Sequence, residues 1–177
     1  WKGAESSIRR ALELAPGNAE VVGAAADLAS ILGRPEEAIA FGRRAVALDP
    51  LSVRAHRQLG LHCWYAGLLD EAEAELKKAI DLSPQGVNSH LLLGLVHLVQ
   101  GRVDGAMTEC EREPDEGWRL LIKATTAASY VLVDDHKTDE DGTLGYLTIT
   151  AAEKADLIKD LELYFGESVK HIGTEEN

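Results

Sequence analysis

Aromatic residues make up only 5% of this 177-residue chain, whereas alanine is abundant. That balance favours closely packed helices over a β-sandwich, whose strands draw on aromatic and β-branched side chains. Basic residues are short as well: 18 Lys+Arg stand against 30 Asp+Glu, for a net charge of −12. Nucleic acid and anionic membranes both demand a dense basic surface, so neither is an expected partner. No apolar run reaches the length of a bilayer-spanning helix, and no signal-peptide pattern opens the chain. A cytoplasmic location is slightly favoured on that ground, although Trp1 stands where a Met would begin and suggests a fragment or processed form. The two cysteines, Cys63 and Cys110, have neither the spacing of a metal site nor the number of a disulfide framework. Apolar residues are not lacking. At 45% they suffice to bury a core, which argues against wholesale disorder, and the length suits one domain or a core with an appendage.

Only five prolines occur, yet Pro16, Pro50 and Pro84 fall at a constant interval of 34 residues, in "LELAPGNAE", "VALDPLSVR" and "IDLSPQGVN". The same interval links Ala4, Ala38, Ala72 and Ala106, and again Ala11, Ala45 and Ala79. It recurs in Gly33, Gly67 and Gly101 and in the pair Gly60 and Gly94. A period of roughly 20–50 residues marks stacked supersecondary units.

Within one period the pattern reads as a helical hairpin. Apolar residues recur at helical spacing from Val53 to Gly67, where glycine ends the helix. The stretch "LDEAEAELKKAIDL" is a second amphipathic helix, with Asp70 the expected N-cap and lysines toward its end. Pro84 stops it and turns the chain into the next hairpin. Gly60 and Ala72 are expected where the two helices cross, their small size letting the backbones approach. Hairpins are expected over residues 19–50, 53–84 and 87–113.

This pattern resembles the tetratricopeptide repeat family, whose unit is a pair of antiparallel helices. The central unit carries the resemblance in Leu59-Gly60, Cys63, Gly67, Ala72, Leu76, Ala79 and Pro84. The preceding unit matches with Gly33, Ala38, Ala45 and Pro50, although Ala25-Ala26 and Gly42 are smaller than usual. The next matches with Leu93-Gly94, His97, Gly101 and Ala106, and departs at Glu113, where Pro114 cuts the second helix short. The resemblance covers residues 1–120, divided into a half unit 1–18 and units 19–52, 53–86 and 87–118. The half unit "WKGAESSIRRALELAP" matches a second helix only.

The resemblance implies an all-α superhelix, an α-solenoid, whose inner surface is made by the first helix of each pair. Carried over residue by residue, it places Arg54, Arg57, Leu61, Trp64, Asn88, Leu91, Leu95 and Leu98 on the concave face, with Glu20, Gly23 and Asp27 from the preceding unit. It implies a non-catalytic scaffold that holds a protein partner as an extended peptide or a helix, with no cofactor. Some family members clamp a C-terminal carboxylate with a lysine/asparagine constellation, which Gly23 and Asp27 do not supply. The leucine stripe either awaits a partner or packs against the C-terminal part of the chain itself. Two rival readings stand beside the scaffold. The half unit at Trp1 suggests the regulatory or C-terminal repeat portion of a larger enzyme, and the acidic tail suggests a ligand- or ion-binding role of its own. Oligomeric state is left open.

The pair His62-Cys63 invites a hydrolase reading. Adjacent helical residues point about 100° apart, so the two cannot bond to each other as base and nucleophile. Cys63 is expected to face the neighbouring helix and His62 to face solvent. His56, Cys63, His90 and His97 share one face, but two helical turns span about 10 Å, too far for four short side chains to converge on one ion. Hydrogen-bonded histidines between helices are expected instead. Asp139, Asp141 and Gly142 resemble the middle of a calcium loop, but Lys137 and Thr148 then occupy ligand slots that need carboxylates. No metal is therefore expected.

No family is recognised in residues 121–177. A helix is expected over 119–132, although Tyr130 to Val133 would also suit a strand; an acidic loop is expected over 134–145, and then a further helix opened by a capping box at Thr150 and Glu153. Its stripe of Leu157, Ile158, Leu161 and Phe165 is expected to cap the end of the stack rather than lie in the groove.

Overall fold

The computed structural model of the protein describes residues 2–121 and 123. Its elements are α1 (Lys2–Leu14), α2 (Ala19–Ile31), α3 (Pro35–Leu48), α4 (Val53–Tyr65), α5 (Leu69–Leu82), α6 (Ser89–Val99) and α7 (Val103–Arg112). Residues 116–121 turn helical again, and no strand occurs among the described residues. The acidic loop, the capping box, the stripe after it and most of the expected helix 119–132 lie outside the described residues.

Each first helix ends in a left-handed glycine: Gly33, Gly67 and Gly101 have φ of 72°, 76° and 72°. The Gly67 N–H donates to Trp64 O at 3.0 Å, and the Leu68 N–H reaches back to Cys63 O at 2.9 Å. These paired bonds form a Schellman turn, which glycine enters without the Cβ penalty. The turn is so tight that α5 begins at Leu69, and Leu68 holds the cap position with no side-chain bond. Asp70, expected as the N-cap, instead lies inside the first turn, where its charge suits the helix dipole.

The first helices are entered through looser loops and are capped by side chains. Asn18 accepts from the N–H groups of Glu20 and Val21, and Ser52 from that of Ala55. At α6 the residue in that position, Asn88, is itself left-handed and caps nothing. Glu113, the departure from the family pattern, supplies the cap from the far end of the hairpin. Its two oxygens accept from the Asn88 N–H at 3.3 Å and the Leu91 N–H at 3.0 Å, and the residue is only 1% exposed. A buried carboxylate on the donors of a helix N-terminus meets both its hydrogen-bonding need and the dipole.

Hairpins α2–α3, α4–α5 and α6–α7 pack internally, α3 packs on α4, and α5 on α6; α1 packs on α2. Contacts of α2 with α4 and of α4 with α6 set the first helices in one continuous row. Inside the α4–α5 hairpin a Cβ on Gly60 would lie 2.7 Å from Leu76 Cγ and 3.2 Å from Ala72 O. The crossing is therefore as close as the small residues suggested. Ile39, Leu59, Cys63, Leu76, Leu93 and Val96 form the main core across units.

Two buried histidines join helices in the same way one period apart. His56 Nδ1 lies 2.6 Å from Glu75 Oε2 while its Nε2 donates to Pro50 O at 3.0 Å. His90 repeats this with Glu109 at 2.6 Å and Pro84 O at 3.3 Å. Each pair thus pins a first helix to its second helix and to the preceding turn. In the first unit the equivalent positions hold the apolar pair Val22 and Phe41.

Candidate partner-binding face

The row α2, α4, α6 presents one side away from the second helices. Arg54 is exposed and lies 3.3 Å from Asp27 Oδ2. Gln58 donates to Asp27 Oδ1 at 2.8 Å, and His62 Nε2 lies 3.3 Å from the same oxygen. Three side chains of α4 therefore converge on one carboxylate of α2. Burial alone would push the Asp27 carboxyl up, but its contacts with His62 and Gln58 and the nearby Arg54 charge hold it below its ordinary value. His62 is only 3% exposed, so its expected place in solvent is corrected. It sits at the α2–α4 contact, beside the Asp27 carboxylate.

Arg57 is half-buried and donates to Val87 O at 3.1 Å, tying α4 to the entry of α6. Leu61, Trp64, Asn88, Leu95 and Leu98 are half-buried. Trp64 stacks on Tyr65 with ring centroids 5.1 Å apart at 29°. Leu91 departs from expectation: it is 5% exposed and packs with Cys110 and Leu95. Cys110 stands one period after Leu76, and Leu91 is buried against it. Leu91 is thus withdrawn from the open face. Between α2 and α4, Gly23, Ala26, Gly42 and Ala45 leave a recess of about 100 Å³ bordered by Glu20, Arg54 and Gln58.

The sequence reading passed over a further set. Ile31, Tyr65 and Val99 are the last residues of α2, α4 and α6 and are 61%, 65% and 59% exposed. They stand 34 residues apart, so the chain leaves one large apolar side chain wet in the same place in each unit. The signal was in the sequence: a large apolar residue two places before each turn glycine.

The Cys63 thiol is fully buried, and burial, reinforced by the Glu71 carboxylate, pushes it up to about 12. A nucleophile needs the thiolate, which such a site withholds. Among the described residues no group of three or more His, Cys, Asp or Glu is placed to hold a metal ion. No helix among them is long and apolar enough to cross a membrane.

The tetratricopeptide repeat family model matches residues 1–53, 44–87 and 57–119. Among solved structures the chain is similar to PilW, a widely conserved type IV pilus biogenesis factor, with 21% identity, 93% of this chain and 70% of that one covered, and a TM-score of 0.72. It is similar to MamA at 20% identity, with 92% and 85% covered and a TM-score of 0.60. The repeat protein YrrB, which has an unusual peptide-binding site, shares 17% identity over 93% and 87%, with a TM-score of 0.57. No curated protein matches. Three successive family matches over most of the chain, laid on three hairpins stacked in register, show that this protein belongs to the tetratricopeptide repeat family.

Proposed function

We propose that the protein is a non-catalytic scaffold that holds a peptide or helix of a protein partner along the row α2, α4, α6. The reading rests on one observation above all: the exposed ladder Ile31, Tyr65, Val99, continued inward by Leu61, Trp64, Leu95 and Leu98. Soluble chains seldom leave aligned apolar side chains in water without a use. Arg54, Arg57 and Asn88 lie toward the start of the same helices and give the face a polar edge. Arg54 already faces Asp27, so a partner carboxylate would compete for a charge that is held in place beforehand. The division into a half unit 1–18 and units 19–52, 53–86 and 87–118 belongs to this reading, each full unit contributing one rung.

The test compares partner recovery by the intact chain, by Tyr65→Asp with Val99→Asp, and by Lys77→Glu with Lys78→Glu on α5. Recovery is expected to fall at least tenfold for the first pair and to stay unchanged for the second. Equal recovery by all three would place the partner elsewhere.

A further inference from the structure

A second concavity lies away from that face. Helices α1, α2 and α3 border a cleft of about 220 Å³, whose apolar lining includes Ile8, Leu12, Ala25, Ala29 and Phe41. Its origin can be read in the repeat. One and two periods after Ala25 stand Leu59 and Leu93, which are buried in the core of their own units. Ala25 lacks that isobutyl group, and Ala29 stands where Cys63 and His97 do, so neither fills the space beneath α1. Ala25 and Asp27 are two residues apart, about 200° round the helix. The cleft and the partner-binding row are therefore on opposite sides of α2. At the rim Arg34 is engaged by Glu5 at 2.8 Å and lies 3.7 Å from Glu37. Arg9, on the same rim, has no ion pair or side-chain hydrogen bond among the described residues.

We infer that this cleft binds a small monocarboxylate with an apolar body, the body entering the space left by Ala25 and the carboxylate meeting Arg9. Apolar space of this kind offers water few partners and takes up apolar groups instead. Glu5 is hydrogen-bonded to Arg34 and Glu37 lies beside the same guanidinium, which leaves Arg9 as the rim cation without a partner among the described residues; a guanidinium fork matches a carboxylate. The volume falls below the roughly 300–1,000 Å³ of sites for drug-sized ligands. The body is accordingly limited to about a phenyl ring or a branched chain of that size.

The test uses the full chain, with hydrocinnamate as probe and hydrocinnamyl alcohol as its uncharged match, followed through the backbone amide NMR signals. Saturable shifts centred on Ala25, Ala29 and Phe41 are expected, the acid binding roughly two- to fivefold more tightly than the alcohol, as an exposed ion pair allows. Ala25→Leu restores the side chain of the other units and should abolish binding of both probes, with folding checked by circular dichroism. Ala25→Val serves the same purpose if the leucine variant does not fold. Arg9→Gln should bring the acid down to the affinity of the alcohol and leave the alcohol unchanged. No saturable shift in the unaltered chain, shifts that survive filling of the cleft, or an alcohol as tight as the acid would each overturn the inference.

Discussion

The same substitution, glycine to alanine, should have opposite effects at two helical positions of this chain. Gly23 lies inside α2 and Gly60 inside α4, so both gain about 0.5–1 kcal/mol of helix stability from a methyl group that limits the unfolded chain. At Gly23 an added Cβ meets nothing within 4 Å. The gain stands alone there, and Gly23→Ala should stabilise by about 0.5–1 kcal/mol. At Gly60 the Cβ would sit 2.7 Å from Leu76 Cγ and 3.2 Å from Ala72 O. Ordinary carbon contacts begin near 3.5 Å, the leucine branch point cannot swing away, and the carbonyl belongs to a helix. Overpacking of this kind costs about 1–3 kcal/mol. Because the helix term is common to both variants, the difference between them isolates the crossing, at about 1–3 kcal/mol. Urea denaturation followed by far-ultraviolet circular dichroism measures it, provided the slope against urea is the same in the two variants. Two variants that shift in the same direction by the same amount would mean that the α4–α5 crossing is not close, and the role given to small residues in the repeat would fail with it.

Other outcomes follow from the buried polar contacts. His56→Val alone leaves the Glu75 carboxylate without its partner and should destabilise by about 1–3 kcal/mol; adding Glu75→Phe gives this unit the Val and Phe that the first unit carries at the equivalent positions and should recover most of that loss in a double-mutant cycle. Glu73 is held down to about 2, chiefly by hydrogen bonds from Arg102 and further by Lys77 and Gln100, against an ordinary 4.5. A carboxyl lowered on folding stabilises fully above its ordinary value and loses that contribution as pH falls through the folded one. The stability gap between the intact chain and Glu73→Gln should therefore shrink between pH 4.5 and about pH 2; a gap that stays constant would refute the link. Iodoacetamide should label neither Cys63 nor Cys110 in the folded chain, since both thiols are buried and pushed up by burial, and both in guanidinium. Mass spectrometry of the labelled protein decides it.

The period was legible because it is written in residues that geometry restricts. A left-handed turn selects Gly67, a close crossing selects Gly60 and Ala72, and the chain direction after a second helix selects Pro84. Each of these constraints is local or lies within one hairpin, and each left its mark at a fixed interval. What escaped the sequence depends on a side chain supplied from elsewhere. His62 turns inward against Asp27 on another helix, and Leu91 against Cys110 on the second helix of its hairpin. Asp70 lost the cap to Leu68 because the Schellman turn uses up the residues that a side-chain cap would need. On the candidate face the eight residues carried over from the family included Trp64 and its leucines, yet not Tyr65 beside them. Register along one helix marks a face; how far each side chain reaches from it depends on what the neighbouring helix leaves uncovered.

Glu113 closes the α6–α7 hairpin in a way that affects how the structure comes apart. The carboxylate that satisfies the first amides of α6 lies just past the last turn of α7, 22 residues beyond Leu91. Fraying of α7 from its end must therefore release the start of α6 at the same moment. Amide hydrogen exchange would then show these two distant segments opening as one unit, with matching protection, instead of the graded loss usual toward the end of a helix. In a linear array, where each unit otherwise leans only on its neighbours, such a clasp makes the third hairpin respond as a whole. A protease that cuts after Arg112 would leave every residue of α6 in place and still loosen its first turn.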